Sequence, residues 1–156
     1  GLFTEDWEGL IRHSVSIKAK VVEQDPLEGG LRKILNFGHT VGHAVESYLL
    51  EKPERALLHG EAVAVGMLCE AWISKKHDLL SQEELDKIET FLVSVYEKVS
   101  LTEEDIQHIA QLALQDKKNT RSTINCTLLQ GIGKAVYDQP VTVQEIVESL
   151  RYYTLL

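Results

Sequence analysis

The sequence contains little cysteine and no long apolar run. Among its 156 residues only Cys69 and Cys126 are cysteines, and they form neither a CxxC pair nor a disulfide framework. We interpret them as small core residues of a reduced, cytoplasmic protein. No apolar run approaches the roughly 20 residues of a membrane-spanning helix, and no signal peptide is visible. The sequence therefore predicts neither a disulfide-stapled domain nor a membrane protein.

Basic residues are also in the minority. Lysine and arginine number 16 against 24 aspartates and glutamates, which gives a net charge of −8 and a pI near 5.2. This balance argues against nucleic acid or acidic lipid as a partner, although a local basic pocket could still bind a phosphate. We therefore expect a small-molecule ligand. The chain begins with Gly1 instead of Met, so we expect it to have been processed, cut or excised.

Helical periodicity dominates a sequence with only three prolines. The length and the 44% hydrophobic content fit one globular domain. We predict a mostly α, multi-helical fold with six helices, at about 4–22, 31–50, 61–76, 81–98, 102–115 and from 142 onward. Residues 123–137 predict a small β hairpin. Because neither βαβ alternation nor a GxGxxG motif occurs, the chain should hold no dinucleotide-binding fold of its own.

Two of the predicted helices have unusual composition. Gly38 and Gly42 lie inside the second one, where each should weaken the helix by roughly 1 kcal/mol relative to alanine, so we expect a packing or access reason for them. The third helix, 61–76, is apolar on nearly all sides, which predicts a central, buried position. Capping boxes at Ser81 and Thr142 are expected to open the fourth and last helices.

Three of the six histidines lie within 21 positions of one another. His39 and His43 are four residues apart, so a helix would stack them on one face, and His59 follows at the start of the apolar helix. Neutral imidazole is a good zinc ligand, and three such ligands with one open position would make a catalytic site. The alternative is that these are ordinary hydrogen-bonded histidines. The other three, His13, His77 and His108, are interpreted as surface or capping residues.

A stripe of polar residues continues this pattern toward the N-terminus. The stripe comprises Glu28, Arg32, Asn36, His39 and His43, at spacings of four, four, three and four. Such a helix face suits an anionic, hydroxylated ligand, and Lys18 on the first helix could reach the same pocket. The alternative is a solvated face with a Glu–Arg pair. Lys117 and Lys118 either complement a helix C-terminus or hold a phosphate.

Taken together, these segments closely resemble the 3-dehydroquinate synthase family. The clearest matches are LRKILNFGHTVGHAVE at 31–46 and LHGEAVAVGM at 58–67; shorter ones follow the same order at 18–22, 25–28, 116–118, 128–129 and 132–134. The resemblance spans essentially the whole chain. It implies that residues 1–156 are one helical C-terminal domain of a two-domain enzyme. An N-terminal α/β domain that binds NAD, and a glutamate metal ligand before Gly1, would be absent from this chain.

The resemblance also assigns roles to individual residues. It implies that His39 and His59 bind zinc or cobalt, and that His43 is a catalytic residue in contact with substrate instead of a ligand. Lys18, Glu28, Arg32 and Asn36 match residues that line the substrate pocket, and one of Lys117 and Lys118 matches a phosphate-contacting lysine. On His43 the resemblance therefore differs from the spacing argument, which paired His39 with His43 on the metal.

The implied activity is that of a carbon–oxygen lyase of the shikimate pathway. It converts 3-deoxy-D-arabino-heptulosonate 7-phosphate into 3-dehydroquinate and phosphate, with NAD⁺ as hydride carrier and zinc as Lewis acid. The resemblance suggests a homodimer. We expect this chain alone to be inactive, because the NAD domain and one zinc ligand are missing. The competing interpretations are a sibling sugar-phosphate cyclase, a metal-dependent alcohol dehydrogenase, and a non-catalytic helical metal-binding or interaction domain.

Overall fold

The computed structural model describes residues 37–52, 59–116, 123–132 and 134–156. These residues form five α-helices and one hairpin, which confirms the mostly helical fold. In chain order the elements are α1 (His39–Leu50), α2 (His59–Lys76), α3 (Gln82–Val95), α4 (Glu103–Asp116), β1 (Thr123–Leu129), β2 (Ala135–Thr142) and α5 (Val143–Thr154). None of the described helices is long and apolar enough to cross a membrane. The first predicted helix, 4–22, lies outside the described residues.

Helix α2 is the centre of the fold. It packs against α1 on one side and against α3, α5 and β1 on the others. Most of its side chains are buried, including Leu68, Cys69 and Ile73. A helix that is apolar on all sides must be covered on all sides, and the prediction of a central, buried helix is confirmed.

Helices α1 and α2 cross at a contact between glycines. A Cβ added to Gly66 of α2 would lie 1.9 Å from the carbonyl oxygen of Gly38 and 2.6 Å from the backbone nitrogen of Gly42. A Cβ on Gly42 would in turn lie 3.1 Å from the carbonyl oxygen of Ala62. The two backbones therefore touch directly. This close approach is the packing reason expected for the glycines.

The prediction of one continuous helix over 31–50 is wrong at Gly38. Phe37 and Gly38 form a turn, and α1 begins only at His39. Gly38 adopts a left-handed conformation with φ of 84°, and a side chain there would meet Cγ of Met67 at 2.5 Å. Hydrophobic periodicity does not detect such a turn, because it reports which face is apolar and not the sign of φ.

The capping boxes at the starts of α3 and α5 are confirmed. In α3 the hydroxyl of Ser81 accepts from the N–H of Glu84, whose carboxylate accepts from the N–H of Ser81. Thr142 and Glu145 make the same reciprocal pair at α5. Each box satisfies two backbone donors that a helix leaves without intrahelical partners.

The end of helix α3 differs from the predicted boundary. Helix α3 ends at Val95 and not near Lys98, because Tyr96 adopts an extended conformation. The Lys98 ammonium donates to the carbonyl oxygens of Thr154 and Leu156 at 2.7 and 2.6 Å, at the C-terminal end of α5 and just after it. Lys98 therefore lies in the segment after α3 and contacts the end of α5, a long-range contact that local sequence does not contain.

The predicted hairpin is confirmed and is longer than expected. Strands β1 and β2 are antiparallel, pair from Thr123 with Thr142 to Leu129 with Ala135, and have an irregularity before Leu128. On α2 the Ser74 hydroxyl donates to the carbonyl of Glu70 at 2.6 Å and accepts from the N–H of Leu129 at 2.9 Å. Ser74 thus connects the hairpin to the central helix.

The glycine contact makes a prediction about stability. We expect Gly66→Ala to lower the free energy of unfolding by about 3 kcal/mol or more, because its methyl group would overlap backbone atoms that cannot move aside. Urea denaturation followed by circular dichroism measures the change. Gly60→Ala is the matched control, since its nearest neighbour would be Cε1 of Tyr96 at 3.5 Å, an ordinary contact. Equal stability of the two variants would contradict the glycine contact.

Candidate metal and substrate site

His39 and His43 lie side by side at the start of α1. Their ring centroids are 5.1 Å apart, and the ring planes are tilted by 35°. His39 is half-buried and His43 is exposed. The prediction that both imidazoles share one helix face is confirmed. The pair thus offers one sheltered ring and one ring open to solvent.

His59 is the first residue of α2; its side chain lies outside the described part of the structure. The glycine contact locates its backbone relative to the histidine pair. Gly42, next to His43, would contact Ala62 and Val63 through an added Cβ, and these residues lie about one helical turn beyond His59. At the crossing, His43 of α1 therefore lies within about one helical turn of His59, measured along the axis of α2.

The donor chemistry of the histidines fits a divalent transition metal, since imidazole suits both zinc and cobalt. The side chains that the structure describes contain no group of three His, Cys, Asp or Glu residues that could hold a metal ion. The side chain of His59 is not among the described side chains. The described pair offers two imidazoles, and only the interpretation from spacing would use both of them together with His59 as metal donors.

Glu70 lies beneath the start of α1 and was not predicted as a site residue. Its side chain is fully buried in the middle of α2. Its two carboxylate oxygens accept from the backbone N–H groups of Gly38 and Val41, each at 3.3 Å. A buried carboxylate needs such partners, and helix N-termini favour negative charge. The sequence signal that could have revealed Glu70 is a lone glutamate in the apolar interior of this helix.

Cys69 precedes Glu70 and is completely buried. Burial raises the pKa of its thiol to about 12; a hydrogen bond with Ser149 opposes this rise and the charge of Glu70 adds to it. Cys126 is buried as well. A thiol that stays protonated and covered is neither a nucleophile nor a metal ligand at neutral pH. Both cysteines are core residues, as the sequence predicted.

The histidines outside the site have partners elsewhere on the surface. His77 is partly buried and approaches the carboxylate of the capping residue Glu145, with Nε2 and Oε2 2.5 Å apart. His108 is exposed and stacks on Tyr48 with a centroid distance of 5.7 Å. These contacts agree with the surface or capping interpretation. His13 lies outside the described residues.

The other predicted site residues are not among the described ones. They are Lys18, Glu28, Arg32, Asn36, Lys117 and Lys118. The prediction that one helix carries the whole polar stripe is nevertheless wrong, because the turn at Gly38 interrupts helical phase before His39. Of the predicted residues, the structure brings together His39 and His43, with the backbone of His59 near them.

Two of the solved structures that share this fold are synthases with NAD⁺ and a metal ion bound. 2-epi-5-epi-valiolone synthase from Streptomyces hygroscopicus subsp. jinggangensis, with NAD⁺ and Zn²⁺ bound, matches with a TM-score of 0.65 and 26% identity over 87% of this chain and 37% of its own. A 2-deoxy-scyllo-inosose synthase complexed with carbaglucose-6-phosphate, NAD⁺ and Co²⁺ matches with a TM-score of 0.62 and 27% identity, over 76% and 33%. The fold is therefore that of the sugar-phosphate cyclases.

Sequence comparison narrows this class to one family. The family model described as 3-dehydroquinate synthase C-terminal matches residues 2–119. The 3-dehydroquinate synthase of Parabacteroides distasonis is 40% identical over 92% of this chain and 40% of its own length, and that of Campylobacter concisus is 36% identical over 96% and 42%. This chain belongs to the 3-dehydroquinate synthase family. It spans about 40% of the length of these curated relatives.

The raised pKa of Cys69 predicts a pH-dependent stability. In the unfolded chain the thiol ionises above its ordinary pKa of 9.0, whereas the folded protein keeps it protonated to about 12. The contribution of this thiol to the free energy of unfolding is therefore fully present below pH 9 and is lost as the pH rises toward the folded-state pKa. For one proton the loss is at most about 1.4 kcal/mol per pH unit.

The test compares urea unfolding of the parent chain and of Cys69→Ala at increasing pH. We expect the parent to lose stability more steeply above pH 9. Tyr152 and Tyr153 have raised pKa values as well, mainly from burial, which is common to both proteins; only the smaller effect of the Cys69 charge on them is lost in Cys69→Ala. Identical slopes would contradict the assignment of this proton to Cys69.

Proposed function

We propose that this chain is the C-terminal domain of a 3-dehydroquinate synthase. The complete enzyme would convert 3-deoxy-D-arabino-heptulosonate 7-phosphate into 3-dehydroquinate and phosphate, and would thus be a phosphate-eliminating carbon–oxygen lyase of aromatic amino-acid biosynthesis. Membership of the family supports this reaction. The observation that carries the proposal is the pair of histidines stacked on α1 beside the glycine crossing to α2.

The chain's share of its relatives' length supports a second domain. It spans about 40% of the curated 3-dehydroquinate synthases, and we propose that an N-terminal α/β domain precedes it and carries most of the NAD site. The structural neighbours hold NAD⁺. In this arrangement NAD⁺ supplies hydride transfer, and the helical domain supplies metal and substrate contacts. We further propose a homodimer and, from the two buried thiols, a cytoplasmic location.

His39 and His59 are the proposed metal ligands, and His43 is the proposed proton-transfer residue. The half-buried ring of His39 suits a ligand that must be held in one orientation, whereas the exposed ring of His43 can reach a substrate hydroxyl. Zinc, or cobalt in its place, would polarise hydroxyl and carbonyl oxygens of the substrate. His43 would then accept or return a proton at the adjacent hydroxyl.

The substrate pocket would be completed by residues that precede and follow the histidine pair in the sequence. We propose that Lys18, Glu28, Arg32 and Asn36 line it, and that Lys117 or Lys118 holds the phosphate. Guanidinium and ammonium groups bind carboxylate and phosphate oxygens through charge-assisted hydrogen bonds. A sibling cyclase remains the second candidate, since valiolone and inosose synthases have the same fold.

The reaction is tested with the protein extended by its N-terminal domain and supplied with NAD⁺ and Zn²⁺. We expect phosphate release from 3-deoxy-D-arabino-heptulosonate 7-phosphate, loss of release on adding a chelator, and no release from the 156-residue chain alone. A folded, metal-loaded and NAD-bound protein that leaves this substrate intact would favour the sibling cyclases. Release by the 156-residue chain alone would contradict the two-domain proposal.

The histidine roles predict three different variant phenotypes. His39→Ala and His59→Ala should each weaken zinc binding by more than about a hundredfold, because losing a ligand costs more than losing an outer contact. His43→Ala should keep zinc affinity and lose about 10²–10⁴-fold in turnover. Chelator competition measures the first effect and phosphate release the second. Parent-like zinc binding by both His39→Ala and His59→Ala would refute the metal assignment.

A further inference from the structure

Helix α1 has no capping group of its own. Its N-cap is Gly38, which makes no side-chain hydrogen bond, and no acidic residue lies in its first turn. Helices α3 and α5, in contrast, each carry a complete capping box. The helix that bears His39 and His43 is therefore the one among these three whose N-terminus depends on a partner elsewhere in the fold.

Glu70 of α2 is that partner. One carboxylate oxygen accepts from the N–H of Gly38 and the other from the N–H of Val41. These are the N-cap and third helical positions, the same two donors that a capping box satisfies. A single buried carboxylate, 32 and 29 residues away along the chain, thus replaces both side chains of a capping box.

We propose that Glu70 is a positioning residue for the histidine site, an inference that rests on the function proposed above. Its two hydrogen bonds lie on either side of His39, at residues 38 and 41, so they hold the backbone from which that ring projects. At the left-handed turn the Gly38 carbonyl accepts from the N–H of Gly42 at 3.0 Å, and Glu70 holds the Gly38 N–H. Loss of the carboxylate would free the first turn of α1 and change the direction of the His39 ring.

The burial of Glu70 supports a role beyond local stability. A fully buried carboxylate is costly, and an apolar side chain of similar volume often gives equal or better stability. The carboxylate lies at the point where α1 begins, beside the histidine pair. A charge there fixes the position of two specific N–H groups, which an apolar side chain cannot do.

The test variant is Glu70→Gln, which keeps the shape of the side chain. Its amide oxygen can accept from one N–H, but its NH₂ group would face the other donor, so one of the two hydrogen bonds is lost. The matched control is Ser74→Ala, one turn along α2, which removes buried hydrogen bonds to Leu129 of β1 and to the backbone carbonyl of Glu70, leaves the Glu70 carboxylate in place and makes no described contact with α1. Both variants are made in the full-length protein.

Three readouts separate positioning from a general loss of stability. They are the zinc dissociation constant by chelator competition, the visible absorption spectrum of the Co²⁺-loaded protein, and amide hydrogen exchange of residues 38–41. We expect Glu70→Gln to weaken zinc binding about tenfold, the low end for outer contacts of a metal site, to alter the cobalt spectrum, and to expose residues 38–41 to exchange. Ser74→Ala should lower the melting temperature without these changes.

Parent-like zinc affinity and cobalt spectrum in Glu70→Gln, with a melting temperature lowered as in Ser74→Ala, would overturn the proposal. Should Glu70→Gln not fold, Glu70→Asp replaces it, because it keeps the charge and shortens the reach by one methylene. The same outcomes would then support or overturn the proposal. Failure of the proposed metal site would look different, since the parent itself would bind no metal, and failure of the proposed reaction would leave the substrate intact while the parent still bound metal. Hydrogen exchange at residues 38–41 would then still decide whether Glu70 holds the first turn of α1.

Discussion

The backbone contact of Gly66 with Gly38 and Gly42 determines the arrangement of the site. With no side chain at these positions, α1 lies directly on α2, and a single methyl group on Gly66 would come within 1.9 Å of the Gly38 carbonyl oxygen. Gly42 and Gly66, which lie inside helices, each cost helix stability relative to alanine, by roughly 1 kcal/mol. The close packing of the two helices offsets that cost. Because the contact is rigid, it also sets the position of the histidine pair relative to α2.

The same contact makes the buried charge of Glu70 possible. With the helices this close, a carboxylate in the middle of α2 reaches the two N–H groups at the start of α1. The dipole of α1 and the carboxylate then stabilise each other where water is excluded. Glu70 also raises the pKa of the neighbouring thiol of Cys69, in addition to the larger effect of burial. One glutamate thus connects the core of the domain with its site.

Local chemistry made a large part of the fold predictable. The capping boxes at Ser81 and Thr142 involve residues three positions apart, so the sequence contains both partners. The placement of His39 and His43 side by side on one helix face follows from helical geometry alone. The helix predicted through Gly38 was wrong because a left-handed turn leaves no trace in hydrophobic periodicity, and Glu70 was missed because its partners lie 29 and 32 residues away.

The sequence by itself determined that the chain is mostly helical, that α2 is buried, that a hairpin follows α4, and to which family the motifs point. These properties depend on composition and on neighbours within a few residues. Only the tertiary structure decided where α1 begins, why Gly66 must lack a side chain, and which carboxylate caps the histidine-bearing helix. Those properties arise where two distant segments touch, and the distance between two atoms across such a contact is a property of the packed helices.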